Sequence, residues 1–227
     1  MKTKLIVFTL LATHSVWSAA FMNLNFESAI EPLIVDPVSH TIPVTQAMPG
    51  WHVFVGGTEI TTVLYNNRHI SLAGVSLYSR GDSPLFAIEG DYFAHLYSGL
   101  VSPLPTGASA AVAQTGLIPN DAQSLQLKTG RNGEPFFLSI GGNTLSMTPV
   151  FTGLNYVLHA ADISVYAGQD LELRISVPYD GIAPNGQAHG IRLDDIQFST
   201  EPVPEPSVIA LLAFAAAGLL WHLRRRG

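Results

Sequence analysis

Apolar and polar positions alternate with a period of two through much of the chain. Leu171, Leu173, Ile175 and Val177 point one way while Glu172, Arg174 and Ser176 point the other, the pattern of a half-buried strand. Phe136, Leu138 and Ile140 repeat it, and Gly141-Gly142-Asn143 then supplies a hairpin turn into Thr144 to Met147. Leu125 and Leu127 alternate with Ser124, Gln126 and Lys128 before Gly130. The same reading predicts strands at Trp51 to Val55, Ile60 to Tyr65, Val75 to Tyr78, Tyr92 to Tyr97, Tyr156 to Ala160 and Ile191 to Phe198. Ala108 to Ala113 is assigned to a strand by its neighbours, against the helical preference of alanine. Between the chain ends no apolar period near 3.6 is sustained. Short strands punctuated by turn residues predict an all-β antiparallel sandwich.

The ends follow different rules. Lys2 and Lys4 precede an apolar stretch from Leu5 to Trp17, and Ser18-Ala19-Ala20 offers small residues for cleavage between Ala20 and Phe21. That order is a secretory signal peptide over residues 1–20. At the other end, Glu201 to Ser207 is a Pro-rich linker that cannot continue a central strand. It holds Val203, Pro204, Glu205, Pro206 and Ser207; an apolar run from Val208 to Trp221 and the basic end Arg224, Arg225 and Arg226 follow. As a helix, this run of 14 residues reaches roughly 21 Å, short of a hydrocarbon core of about 30 Å. Snorkelling arginines extend it, which predicts a short membrane-inserted helix over 208–223 with 224–227 on the cytoplasmic side.

Composition sharpens this division. The chain carries a formal charge of −6. Five of its eleven basic residues lie in the two end segments, so Phe21 to Pro206 keeps six against seventeen acids, a net −11. Such a domain is poorly suited to nucleic acid, and no nucleic-acid partner is expected. The absence of cysteine excludes a disulfide framework and thiolate metal sites. About 186 residues between the end segments suffice for one domain with its own core at 21–200.

The Val-Pro-Glu-Pro-Ser stretch, apolar run and arginine cluster together resemble the PEP-CTERM sorting signal. The resemblance implies export through the secretion translocon, transient residence in the inner membrane and processing by an exosortase-type enzyme. The mature form would reside at the cell envelope or in the extracellular matrix. Three further phrases resemble the galactose-binding-like jelly roll of carbohydrate-binding modules. These are Asn23-Leu24-Asn25-Phe26-Glu27, the Asp162 to Gln169 stretch, and Ile191-Arg192-Leu193-Asp194-Asp195-Ile196. In that family a Glu of the opening phrase and an Asp of the closing phrase often hold a structural calcium. Here those positions are Glu27 and Asp195, with Asp194 and Asn25 as further candidates. The break in alternation at Leu193 to Ile196 fits a β-bulge that turns one carboxylate inward.

A sugar-binding surface needs exposed rings beside polar groups. Trp51, Tyr65, Tyr92, Tyr179 and Asp180 are the candidates, with Tyr78 and Tyr97 also available. Trp51 after Pro-Gly also suits a core position. No zinc spacing links the histidines, and no nucleophile elbow occurs. The sequence therefore predicts a non-catalytic β-sandwich that associates with extracellular polysaccharide. The alternative is a secreted polysaccharide hydrolase using Glu89, Asp91 or Asp180.

Overall fold

A computed structural model describes residues 19–30, 35–68, 71–81, 88–101, 106–180 and 189–203. The hydrophobic part of the predicted signal peptide, the apolar C-terminal run and the sorting residues from Pro204 onward lie outside them. In chain order the strands begin with β1 (Thr41–Pro43), β2 (His52–Val55), β3 (Thr58–Ile60), β4 (Thr62–Tyr65) and β5 (Gly74–Ser79). Then come β6 (Tyr92–Tyr97), β7 (Gly99–Val101), β8 (Thr106–Ala108), β9 (Ala110–Leu117) and β10 (Ser124–Gly130). The last six are β11 (Phe137–Ile140), β12 (Asn143–Leu145), β13 (Thr148–Thr152), β14 (Tyr156–Asp162), β15 (Asp170–Val177) and β16 (Gly190–Ser199). One turn of α-helix, Val44–Ala47, and a 3-10 turn at Ser164–Tyr166 interrupt them.

These strands form the predicted all-β sandwich. One sheet has eight strands in the order β1-β4-β5-β6-β16-β10-β14-β13, the other six in the order β12-β11-β15-β9-β2-β3. Pairing is antiparallel except between β4 and β5, where Leu64 faces Ser76 and Tyr65 faces Leu77 in parallel. Leu96, Leu125, Leu127 and Leu193 from the larger sheet meet Val53, Val112, Leu138 and Ile175 from the smaller one. All eight are buried, so the alternation read along each strand marks the face turned to the core.

The alanine-rich segment is a strand because of what crosses it. Ala111 stands opposite Phe54, and Ala113 opposite Arg174. Their small side chains leave room for the Arg174 guanidinium to lie 4.2 Å from the Phe54 ring centre. Val112, between them, points into the core. Cross-strand packing outweighs helix propensity here. The β11–β12 turn also follows expectation: Gly141 and Gly142 both have positive φ, at 54° and 80°, as a two-residue hairpin of the primed type requires.

The N-terminal segment stitches the two sheets together. The Leu117 N–H donates to the Ala19 carbonyl beyond the end of β9, and the Gln114 side-chain amide donates to the Met22 carbonyl. Further on, the Ile196 N–H of β16 donates to the Leu24 carbonyl. Phe21 packs between these points with its ring 5.1 Å from that of Phe198.

Candidate functional site

The opening and closing phrases of the domain meet at the predicted bulge. Along β10 and β16, Gln126 faces Gln197 and Lys128 faces Asp194, so Leu127 alone spans Asp195 and Ile196. Asp195 takes a left-handed φ of 47° to accommodate the extra residue. The carboxylate turned away from solvent is Asp194, only 1% exposed, and not Asp195, to which the family resemblance pointed first. Its Oδ2 accepts the Glu89 N–H at 3.0 Å and its Oδ1 accepts the Asp195 N–H at 2.8 Å. Burial pushes Asp194 up to about 7; the two N–H donors oppose this, while the charges of Glu27 and Asp195 reinforce it.

Glu27 closes the other side of this nook. Its Oε1 accepts the N–H groups of Asp91 (2.8 Å) and Tyr92 (3.0 Å). A side chain at Gly90 would meet Glu27 Oε1 at 2.0 Å, so glycine is needed there. Asn25 Oδ1 accepts the Glu27 N–H. Asp195 turns instead to Lys128, 2.6 Å from Nζ, and to the Gln197 amide. Lys128 also pairs with Glu89. Burial works against its ammonium, but Asp195 and Glu89 outweigh that and hold it above the ordinary lysine range. Among the described residues no three His, Asp or Glu side chains converge as a metal cluster. A cation here would rest on Glu27 and Asp194 with backbone oxygens. The Glu27 charge adds to the cost of ionising Asp194, and a hard divalent ion would relieve that cost.

The outer face of the eight-stranded sheet carries a second arrangement. Ser76 faces His95, His95 faces Arg192, and Gly130 faces Tyr156. Because Leu193 faces Thr129, the next pair on the outer face is Arg192 with Gly130. One row therefore crosses five strands: Ser76, His95, Arg192, Gly130 and Tyr156. The Arg192 guanidinium lies flat on the glycine, where a Cβ on Gly130 would meet Nε at 2.5 Å. Rings continue the row at both ends. Tyr78 and Tyr97 flank His95 at 5.8 and 5.3 Å between ring centres, and Phe151, 55% exposed, stands 6.1 Å from Tyr156. Burial, and then the guanidinium groups of Arg68 and Arg192, push His95 down to about 4, so its imidazole is neutral at physiological pH. From His95 to Tyr156 the row spans three strand spacings, roughly 14 Å.

The sequence-predicted aromatic residues fall elsewhere. Trp51 is 4% exposed, stacked on Phe26 at 5.5 Å, with its Nε1–H donating to the Asn23 carbonyl at 2.9 Å. It serves the core and presents no face to a ligand. Tyr65 and Tyr92 are partly buried and pack against that core. Tyr179 lies against Gly107. Asp180 is 2.8 Å from His189 Nε2, and Glu134 engages Nδ1 on the other side. The bond to Glu134 raises the His189 pKa, with burial opposing and Asp180 adding to the rise. The structure does not bring these five together. His95, Arg192, Gly130, Tyr156 and Phe151 form the row instead, and no spacing in the sequence signals it because each lies on a different strand.

Residues 202–226 match the PEP-CTERM protein-sorting motif. Such a motif implies export and processing of a membrane-anchored precursor. No curated protein matches the sequence. Among solved structures, the chain is similar to TmCBM61 in complex with β-1,4-galactotriose, at 15% identity and a TM-score of 0.45, covering 81% of this chain and 100% of that one. It is also similar to the K1 cleaved adhesin domain of Lys-gingipain from Porphyromonas gingivalis W83, at 10% identity and a TM-score of 0.36, covering 73% and 96%. The enzymatically active domain of bacteriophage CBA120 tailspike protein 4 overlaps 66% of this chain but 19% of its own length, at 16% identity and a TM-score of 0.37. These likenesses concern sandwich architecture; the site is read from this chain's own residues.

Proposed function

We propose that the protein is exported, sorted through its C-terminal motif to the cell envelope or extracellular matrix, and binds extracellular polysaccharide without turning it over. The outer-face row carries this reading. Rings at Tyr156 and Phe151 match the C–H faces of sugars, and the partly exposed Arg192 supplies a polar group beside them; Ser76, fully buried and bonded to the Asn67 carbonyl, supports the row from behind. The row crosses the strands and is accessible at its Phe151 end, where Phe151 is 55% exposed and Tyr156 partly so, which suits a chain ligand lying across that end. Two of the three candidate hydrolytic acids are engaged in ion pairs, Glu89 with Lys128 and Asp180 with His189.

The same proposal includes signal-peptide cleavage after Ala20, which leaves Phe21 seated against Phe198. It also includes a structural calcium held by Glu27 and Asp194, whose role is to neutralise the buried Asp194 carboxylate where the first and last segments join. The test is glycan-array binding by the full chain in detergent. Binding that disappears in Tyr156→Ala and Phe151→Ala, with the fold intact, supports the proposal. If the wild-type protein binds no glycan with or without calcium, the row is not a sugar platform.

A further inference from the structure

We propose that leader removal and folding occur in a fixed order: the bond between Ala20 and Phe21 must be cut before β16 docks, because docking builds that bond into the sandwich. This rests on the cleavage site given above and adds when it must be used. The four residues around the bond are all held. On the leader side, the Ala19 carbonyl accepts the Leu117 N–H at 2.9 Å, and Ala20 pairs with Leu117 in a parallel bridge. On the other side, Phe21 lies on Gly116, where a Cβ would meet its ring and its backbone nitrogen at 3.0 Å. The same ring stands 5.1 Å from that of Phe198 on β16. Met22 is held at both backbone groups by one side chain: its N–H donates to Gln114 Oε1, and its carbonyl accepts from Gln114 Nε2 at 3.0 Å.

Gln114 does here what a neighbouring strand would do. It is only 5% exposed, at the end of β9 where that strand leaves the core. Both ends of its amide bond to Met22, so lifting the N-terminal segment away leaves a buried donor and a buried acceptor unpaired. Ala19 and Ala20 keep their small side chains exposed, but a peptidase lines its substrate up as an extended strand and needs the backbone groups on either side of the bond. In the folded chain those groups are in use. Cutting then requires the segment to open first, and its rate follows the population of the open form. Opening breaks three hydrogen bonds, each worth about fivefold, so protection reaches roughly a hundredfold before the Phe21 contacts are counted. The last of these contacts arrive with the last strand. Phe198 and the Ile196 N–H, which donates to the Leu24 carbonyl, both belong to β16. A chain that folds before it is cut therefore keeps its leader and stays held by its N-terminus.

The test uses the full-length precursor, synthesised without membranes, with purified signal peptidase in detergent. Peptidase is present during synthesis in one arm and added after folding in the other, and mass spectrometry reads the new N-terminus. The expected result is chains beginning at Phe21 in the first arm and cutting at least tenfold slower in the second. A chain ending at His189, which lacks β16, should be cut equally in both arms. Gln114→Ala and Phe198→Ala should each speed cutting of the folded precursor at least fivefold, with melting curves confirming the sandwich; they act on different contacts, so either one serves if the other folds poorly. Equal cutting after Ala20 in both arms for the full chain overturns the order and leaves the cleavage site standing. Protection unchanged in both variants overturns the part given to Gln114 and Phe198. No cut after Ala20 in any arm, the short chain included, overturns the cleavage site and the order together.

Discussion

Gly130→Ala perturbs the row while leaving the core alone. The glycine sits at the end of β10 between Arg192 and Tyr156, outside the left-handed region of φ, so alanine fits its backbone. The new Cβ would lie 2.5 Å from Arg192 Nε, 2.6 Å from one terminal nitrogen and 2.8 Å from the guanidinium carbon. Ordinary contact begins near 3.5 Å, so the guanidinium must lift by about 1 Å. That is the far end of a long, flexible side chain, which can shift by that amount. The backbone gains about 0.4–1 kcal/mol from the reduced freedom of the unfolded chain. Thermal unfolding should therefore change by less than about 1 kcal/mol. Binding should respond differently, because a displaced guanidinium forfeits a hydrogen bond from a charged donor to the sugar, worth about 1.5–3 kcal/mol, or roughly tenfold to a hundredfold in affinity. Melting and titration on the same sample read both quantities. A variant that folds normally and binds as tightly as the parent would refute the seat of Arg192 on Gly130 as part of the contact surface.

Four further outcomes follow from the geometry. Trp51→Phe should lower stability by about 1–2 kcal/mol through loss of the hydrogen bond to the Asn23 carbonyl and some packing, measured by denaturant unfolding, with glycan affinity unchanged. A drop in affinity would return Trp51 to the ligand surface. Chelation should lower the melting temperature of the parent and have no effect on Asp194→Asn; an unchanged parent melt removes calcium from the nook. His189 has a raised pKa in the folded protein, so its contribution is fully present below its unfolded value near 6.5 and is lost as pH rises through the folded value. Melting curves across that window should slope for the parent and flatten for His189→Gln, and parallel curves would contradict the pairing with Glu134 and Asp180. Intact-mass measurement of envelope protein should give a chain beginning at Phe21 and lacking Arg224 to Arg226, whereas retention of the arginines would mean a lasting anchor.

What the sequence disclosed depends on how far apart the cooperating residues are. The sorting motif is contiguous and legible in full. Strand faces are nearly so, since each alternation is local: Leu171 to Val177 and Leu125 with Leu127 behave as written. The bulge at Asp194-Asp195 shows as a broken alternation, but which of the two acids is buried depends on the Glu89–Gly90 turn folded over it. The outer-face row was not legible at all. Ser76, His95, Gly130, Tyr156 and Arg192 are ordinary residues in five separate strands. Only the strand order β5-β6-β16-β10-β14 puts them in line, and strand order is a tertiary property that no single alternation encodes. Trp51 shows the converse: an aromatic residue after Pro-Gly reads as core before surface, and Phe26 stacked against it places it in the core.

The position of β16 constrains how the molecule matures. It is the last strand in the chain, yet it lies inside the larger sheet with β6 on one side and β10 on the other. Until it arrives, β5 with β6 and β10 with β14 are two separate ribbons, each with a bare edge. The sorting motif begins at residue 202, three residues beyond the end of β16 at Ser199. On the proposed export route, the sheet would close only once the residues just before the sorting motif have emerged, and a precursor held at the membrane at that moment would seal its two bare edges apart from neighbouring chains.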